Sequence, residues 1–261
     1  MSDLYPEVFF SESKGVRHLH LGTEDWIQGS MRISKPFNLE LEYIQRMMAW
    51  LLFLPPESIS NCHAMQLGLG AGSITKFCHT TLDMHTTAVE LNPHVVNICH
   101  GWFHLPQQDD KLDIIIGDAQ EVINNIDLNG TIDALCVDIY DDDARAPVID
   151  TVELYARCKK LLTDQGIMTV NLFGRNNSFS KSLENIAKGF GTTINPRQNI
   201  VWQFSPTFEG NTVVLAMAQP LSVSRSVLQK RAEFIEKQWN LPALDWLHEI
   251  RRPVPIKTKK K

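Results

Sequence analysis

The chain has 261 residues, and its 25 basic and 30 acidic residues give a formal net charge of −5. This balance implies no general attraction to nucleic acid. The longest apolar run, residues 47–54, is too short to span a bilayer. Five scattered cysteines without a C-x-x-C pair indicate reduced thiols, and the first residues do not have the pattern of a signal peptide. We therefore expect a soluble cytoplasmic protein with neither a membrane nor a nucleic-acid partner.

The first part of the chain predicts a small β element followed by a helix. Short alternating stretches at 17–21, 26–28 and 31–33 are typical of strands. Residues 39–54 carry apolar side chains at helical spacing, and two prolines then end the pattern. We assign residues 1–60 to this N-terminal part, and residues 61–261 to a second, larger domain.

From residue 64 onward, strand and helix patterns alternate. The predicted strands are 64–67, 86–90, 112–116, 132–137, 167–172, 200–204 and 212–217. The predicted helices are 73–79, 93–103, 119–126, 150–162, 178–189, 223–239 and 242–250. Such alternation predicts a mostly parallel sheet covered by helices on both faces. The short connection between the last two strands predicts an antiparallel hairpin. This α/β arrangement is typical of Rossmann-like S-adenosylmethionine-dependent transferases.

A glycine-rich turn follows the first strand of that series. Gly68, Gly70 and Gly72 alternate in a G-x-G-x-G pattern, and glycine lets a ligand lie directly against the backbone. The dinucleotide fingerprint G-x-G-x-x-G is not matched, because Ser73 stands in the third glycine's place. The pattern favours an adenosine ligand without a pyrophosphate, as in S-adenosylmethionine-type transferases. The alternative is a plain strand-to-helix turn.

Two acidic residues at later strand ends extend this candidate site. Glu90 lies twenty residues beyond Gly70, where a nucleotide-binding unit places its acceptor for the ribose hydroxyls. Asp118 follows the next strand and would accept from the adenine amino group. The alternative for Asp118 is an N-cap on the helix that begins at Ala119.

A cluster of carboxylates follows the fourth strand of the series. Asp138 and Asp141 lie nearest the expected cofactor, and we interpret them as functional residues. Asp142 and Asp143 are better explained as a solvated turn. Clustered carboxylates would attract a cationic substrate, and one of them could accept a proton from an amine.

Taken in order, these motifs resemble those of the spermidine synthases, the polyamine aminopropyltransferases. The residues that carry the resemblance are Gln28, Gln45, the glycine turn, Glu90, Asp118, Asp138 and Asp141. The resemblance implies that the two glutamines contact the nucleoside or its sulfonium side chain, that Glu90 binds ribose and that Asp118 binds adenine. It further implies that Asp141 is the catalytic base, with Asp138 beside it. The co-substrate would be decarboxylated S-adenosylmethionine or S-adenosylmethionine, and the acceptor a polyamine-like amine. The protein could form a homodimer.

The chain departs from the family pattern at several positions. Ala71 stands where the family has an aspartate for the amino group of decarboxylated S-adenosylmethionine, and Asp142 replaces a proline. Ile44 and Phe208 stand in place of tyrosines, and Tyr43 is adjacent to the first of these but out of register. The resemblance therefore supports the fold and the nucleoside site more strongly than the substrate.

Two alternative functions stay open at this point. A methyltransferase of the same fold would release S-adenosylhomocysteine, although its usual acidic residue is Gln66 here. A nucleoside-binding protein of the same fold could also have lost turnover. Finally, two histidine pairs, His18 with His20 and His100 with His104, have the spacing of zinc ligands but no matching third ligand nearby. We expect no metal.

Overall fold

The computed structural model describes residues 5–24, 26–139, 150–173, 177–195, 197, 200–220 and 223–253. Its strands form a three-stranded sheet near the N-terminus and a seven-stranded sheet in the rest of the chain. Within the described ranges, no helix has both the length and the apolar character needed to cross a membrane.

The small sheet is antiparallel and contains β1 (Val8–Ser13), β2 (Val16–Leu21) and β3 (Gly29–Arg32). The predicted strand at 26–28 is wrong, because the third strand begins only at Gly29. Gly29 is where this sheet meets the glycine turn. A Cβ there would lie 2.6 Å from the Cβ of Ala71, so the strand needs glycine at the contact.

The predicted helix over 39–54 is shorter and divided. Helix α1 (Glu42–Met47) continues as a 3-10 turn over Met48–Leu52. Both parts carry fully buried apolar side chains, Trp50 among them. The segment packs in the hydrophobic core on one face of the large sheet. Hydrophobic burial is therefore the main favourable contribution to its stability.

The strands of the large sheet are β4 (His63–Leu67), β5 (His85–Glu90), β6 (Leu112–Ile116), β7 (Ile132–Val137), β8 (Leu162–Phe173), β9 (Val201–Gln203) and β10 (Asn211–Met217). Their spatial order is β6-β5-β4-β7-β8-β10-β9. The first five are parallel, and β10 pairs antiparallel with both β8 and β9. The predicted parallel sheet with a terminal antiparallel hairpin is confirmed.

The helices connect these strands and cover the sheet. They are α2 (Ser73–Lys76), α3 (Pro93–Trp102), α4 (Ala119–Val122), α5 (Val152–Leu161), α6 (Asn177–Gly189), α7 (Arg225–Trp239) and α8 (Ala243–Glu249). One core cluster joins α1, α7 and α8 to one face of the sheet, and a second joins α5 and α6 to the other face. A third cluster packs the small sheet against α3 and the glycine turn. The domain boundary at residue 60 stays a prediction, although α1 already belongs to the core of the large sheet.

Candidate active site

The strand order places the predicted site residues along one edge of the large sheet. Asp118 follows β6, Glu90 ends β5, Gly68 follows β4 and Asp138 follows β7. These four strands are parallel neighbours, so all four residues lie at the carboxyl ends of their strands, where open α/β sheets bind ligands. Three strand spacings of about 4.8 Å separate the outer two by roughly 14 Å. A nucleoside with a sulfonium side chain suits a row of that length.

The three alternating glycines are required by the shape of the turn. Gly68 has φ +85°, and a Cβ there would lie 2.2 Å from the carbonyl oxygen of Asp138. Gly70 has φ +52°, and its Cβ would lie 2.9 Å from the carbonyl oxygen of Gln28. Gly72 has φ +67° and is the residue before α2. The turn therefore lies against both the end of β7 and the approach to β3.

Gln66 holds this turn against α2, a role that the sequence analysis did not find. Its Nε2 donates to the carbonyl oxygens of Gly68 at 2.6 Å and Leu69 at 3.2 Å. Its Oε1 accepts from the backbone N–H of Thr75 at 3.0 Å and from the Thr75 hydroxyl at 2.6 Å. An ionised carboxylate has no donor for the two carbonyls. An amide therefore fits where methyltransferases usually carry an acid.

Glu90 is already hydrogen-bonded to the backbone around the turn. One carboxylate oxygen accepts from the N–H of Leu69 and the other from the N–H of Asn92, each at 2.9 Å. Burial raises the pKa of Glu90, and these backbone hydrogen bonds oppose the rise. Each carboxylate oxygen has two lone pairs, so the group can still accept from ribose hydroxyls. Its predicted role is compatible with the geometry and stays a prediction.

Asp118 caps the helix that follows it. Its Oδ1 accepts from the backbone N–H of Gln120 at 2.7 Å, which is the arrangement of an N-cap on α4. The capping interpretation thus describes one oxygen of this carboxylate. The adenine contact would need the remaining lone pairs, and it stays a prediction.

Asp138 is the centre of a hydrogen-bonded group at the end of β7. Its Oδ1 accepts from Nδ2 of Asn171 at 2.9 Å, and its Oδ2 accepts from the hydroxyl of Tyr43 at 3.4 Å. Burial raises the pKa of Asp138 to about 6, although both hydrogen bonds favour the ionised form. Asp141, the predicted base, lies outside the described residues.

Tyr43 reaches this group even though the sequence comparison put it out of register. Ile44, which stands in the family's tyrosine position, is buried in the core. Tyr43 instead directs its hydroxyl at Asp138. Helix α1 spans only six residues, and a one-residue shift at its start changes which side chain faces the sheet edge.

The other predicted residues lie around the same edge. The carbonyl oxygen of Gln28 approaches Gly70, whereas Gln45 donates from Nε2 to the carbonyl oxygen of Leu39 at 2.8 Å. Ala71 is buried against the small sheet. Phe208, in the place of the second family tyrosine, is 93% exposed on the loop between β9 and β10.

Three of the four histidines in these pairs have hydrogen-bond partners within the protein, and for His100 the partner is the carbonyl oxygen of Leu105 at 3.0 Å from Nδ1. His18 pairs with the hydroxyl of Ser30 and His20 with that of Ser11, each at 2.8 Å. In the described part of the chain, no group of three His, Cys, Asp or Glu side chains has an arrangement that could hold a metal ion.

The sheet order, the glycine turn and the row of strand-end acids together define the class: a Rossmann-like fold of the kind found in S-adenosylmethionine-dependent transferases. Residues 73–227 match the spermine/spermidine synthase domain. The chain belongs to the spermine/spermidine synthase family.

Curated relatives agree over most of the chain. The polyamine aminopropyltransferase of Neisseria meningitidis serogroup A is 31% identical over 242 residues, which are 91% of this chain and 86% of that protein. The enzyme of the same name from Chromobacterium violaceum is 28% identical over 249 residues, covering 95% and 90%. The prediction of a spermidine synthase-like transferase is confirmed.

Solved structures agree with the fold. A probable spermidine synthase from Corynebacterium glutamicum has a TM-score of 0.68 at 16% identity and covers 99% of this chain and 96% of that one. Human methyltransferase-like protein 13 in complex with SAH has a TM-score of 0.65 at 20% identity, covering 84% and 98%. A spermidine synthase in complex with the transition state analogue AdoDATO has a TM-score of 0.55 at 14% identity, covering 90% and 88%.

Proposed function

We propose that this protein transfers an aminopropyl group from decarboxylated S-adenosylmethionine to a polyamine-like amine and releases methylthioadenosine. The observation that carries the proposal is the carboxylate of Asp138, held by Tyr43 and Asn171 beside the glycine turn. A carboxylate at that place can bind a cationic amine next to a nucleoside. Membership of the spermine/spermidine synthase family supports the same chemistry.

The nucleoside would lie along the row of strand ends. In this proposal Glu90 accepts from the ribose hydroxyls, Asp118 accepts from the adenine amino group, and Gln28 and Gln45 lie near the sulfonium side chain. The glycine turn admits the nucleoside because it presents no side chain at its three glycines. This orientation directs the carbon next to sulfur toward Asp138 at the other end of the row.

Asp138 and Asp141 bear on the protonation state of the amine substrate. An aliphatic amine with a lysine-like pKa of about 10.4 is protonated at pH 7, and reaching its neutral form costs roughly 4–5 kcal/mol. Asp138, with a pKa raised to about 6, is mostly ionised at neutral pH and can hold the ammonium group. Once the ammonium group has lost a proton, the nitrogen lone pair attacks the carbon next to sulfur, the carbon–sulfur bond breaks, and its electron pair stays on sulfur. We propose from the sequence that Asp141 accepts the amine proton.

Ala71 bears on the choice of co-substrate. Without a carboxylate at this position, the protein forgoes a charge-assisted hydrogen bond to the cofactor's amino group, worth about 1.5–3 kcal/mol. That is roughly ten- to a hundredfold in affinity. Because the ammonium partner is missing at this position, ordinary S-adenosylmethionine is the second candidate, and methyl transfer the second function.

Nucleoside product analysis tests the proposal. The purified protein is incubated with either co-substrate and a panel of di- and triamines, and the nucleoside is identified by chromatography. We expect methylthioadenosine from the decarboxylated co-substrate. Asp138→Asn should lower that turnover about a hundredfold or more at neutral pH, because the variant cannot carry the negative charge. S-adenosylhomocysteine as the product would favour methyl transfer. The absence of both nucleoside products would contradict the assignment of either transfer reaction to this site.

A further inference from the structure

We propose that Asn211 and Asn171 are positioning residues for this reaction, and that they fix the carboxylate of Asp138 through two consecutive side-chain amides. The inference rests on the proposed function for its catalytic meaning, but the arrangement itself is a feature of the fold. Asn211 lies on β10, Asn171 on β8, and Asp138 follows β7.

The hydrogen bonds run in one direction along this chain of side chains. Nδ2 of Asn211 donates to Oδ1 of Asn171 at 3.1 Å, and Nδ2 of Asn171 donates to Oδ1 of Asp138 at 2.9 Å. An asparagine side chain has one accepting end and one donating end. Because Asn211 engages the accepting end of Asn171, the donating end of Asn171 faces the carboxylate.

The sheet register holds both amides in place. Asn171 lies opposite Val213, and Asn211 lies opposite Phe173, so the two asparagines are diagonal neighbours on one face of the sheet. Asn171 is buried, at 4% exposure. The backbone N–H of Asn211 donates to the hydroxyl of Thr207 at 3.1 Å, and its carbonyl oxygen accepts from the N–H of Thr207 at 2.7 Å.

Asn211 matters because the side-chain amide of Asn171 can rotate about its terminal bond. A half-turn of the Asn171 amide would exchange its nitrogen and oxygen and present an acceptor to a carboxylate. Asn211 disfavours that state, because its own N–H group would then face the amide nitrogen. A buried hydrogen bond to a charged group contributes more than one between neutral groups. The position and ionisation of Asp138 therefore depend on Asn211, a residue that does not touch it.

Within the described ranges, two titratable side chains interact with Asp138. Tyr43 approaches from α1, and Cys136 lies two residues earlier on β7, where its pKa is raised to about 12 by burial. The Cys136 thiol is therefore uncharged at neutral pH, and Tyr43 contributes a hydrogen-bond donor. Neither side chain replaces the two amides.

The test compares Asn171→Leu and Asn211→Leu with Thr212→Val as a matched control. Thr212 is a buried neighbour of Asn211 on β10, and its side chain lies on the opposite face of the sheet. The readouts are the carboxyl titration of Asp138 by ¹³C NMR, assigned with Asp138→Asn, and the pH profiles of kcat and KM. If a leucine variant fails to fold, Asn211→Ala provides the same comparison.

We expect both leucine variants to raise the titration midpoint of Asp138 by about one pH unit. The pH at which kcat falls to half on the acid side should rise by the same amount, and KM for the nucleoside should stay unchanged. Thr212→Val should match the wild type in each readout. An Asn211 variant with the wild-type midpoint would overturn the proposal, as would an equal shift in Thr212→Val. The NMR titration needs no turnover. A wild type that forms no methylthioadenosine would therefore contradict the proposed function, and the titration would still test whether Asn211 controls Asp138.

Discussion

At the scale of single residues, Gly68 shows most directly why the turn has its sequence. Its φ of +85° and the 2.2 Å approach of a Cβ to the carbonyl oxygen of Asp138 oppose any side chain. We expect Gly68→Ala to lower the free energy of unfolding by about 2–4 kcal/mol, measured by urea denaturation.

The control for this substitution is Gly101→Ala. Gly101 lies in α3, and a Cβ there would have no neighbour within 4 Å. Alanine is the better helix former by roughly 0.5–1 kcal/mol, so this variant should be as stable as the wild type or slightly more so. A Gly68→Ala variant as stable as Gly101→Ala would contradict the account of the turn.

Glu90 provides the second test at this scale. Glu90→Ala should weaken nucleoside binding by about 1.5–3 kcal/mol through lost charged hydrogen bonds, measured by calorimetry with methylthioadenosine. Asp113→Ala, which removes an exposed carboxylate from β6, should leave that affinity unchanged. Unchanged affinity in the Glu90 variant, with the fold intact by circular dichroism, would remove Glu90 from the site.

Some positions in the candidate site could be predicted from the sequence and others could not. The positions of Glu90 and Asp138 at one edge of the sheet follow from the strand ends alone, because open α/β sheets bind ligands at the carboxyl ends of parallel strands, and the roles of both residues stay predictions. Tyr43 depends on the rotation of a six-residue helix, and Asn171 and Asn211 depend on the register between two antiparallel strands. Rotation and register are set by packing across the sheet, which the local sequence pattern does not contain.

At the scale of elements, α2 contains a buried lysine that links two other segments. Nζ of Lys76 donates to the carbonyl oxygen of Pro36 at 3.0 Å and to that of Phe103 at 2.6 Å. The side chain is 1% exposed, and burial lowers its pKa to about 8. It therefore connects the end of α2 both to the segment before α1 and to the end of α3.

This lysine should make stability depend on pH in a defined direction. Below about pH 8 the ammonium is charged in both states, and the folded state carries the cost of burying it. Between about 8 and 10.4 only the unfolded state keeps the proton, so the lysine's contribution to the free energy of unfolding rises with pH, by at most roughly 3 kcal/mol. We expect the difference in stability between wild type and Lys76→Met to grow in favour of the wild type across this window.

The comparison with the variant is needed because buried cysteines act in the opposite direction. Burial raises the pKa of thiols such as Cys158, to about 12, so the unfolded state loses those protons first and stability falls with rising pH. Both proteins share that contribution, and it cancels in the difference. A difference that stays constant from pH 7.5 to 10 would contradict the buried-ammonium account.

The extents of the elements show how far periodicity predicts them. β6 and β7 have the predicted bounds, because each is a mostly apolar run with an aspartate shortly after its last residue. The helix predicted over 119–126 ends at Val122, where the side chain of Asn124 bonds back to the carbonyl oxygen of Gln120 at 2.7 Å. Side-chain bonds to the backbone compete with a short helix and end it.

At the scale of the whole molecule, Arg46 joins parts of the chain that are distant in sequence. It is buried, pairs with Glu42 and Glu249, and donates to the carbonyl oxygen of Ser205. It thereby links α1 to α8 and to the loop after β9. The alternation of strands and helices predicted the fold class, but it could not predict that α1 and the C-terminal helices share one core.

The central claim is that this site moves an aminopropyl group onto an amine, and the mass of the amine product tests it most directly. The wild type is incubated with decarboxylated S-adenosylmethionine and the amine that supports turnover, and the product is identified by mass spectrometry. We predict a mass gain of one aminopropyl group, with about a hundredfold less of this product or lower when Asp138→Asn replaces the wild type over the same time. A gain of one methyl group from ordinary S-adenosylmethionine, or an amine that keeps its mass with every acceptor, would contradict the claim.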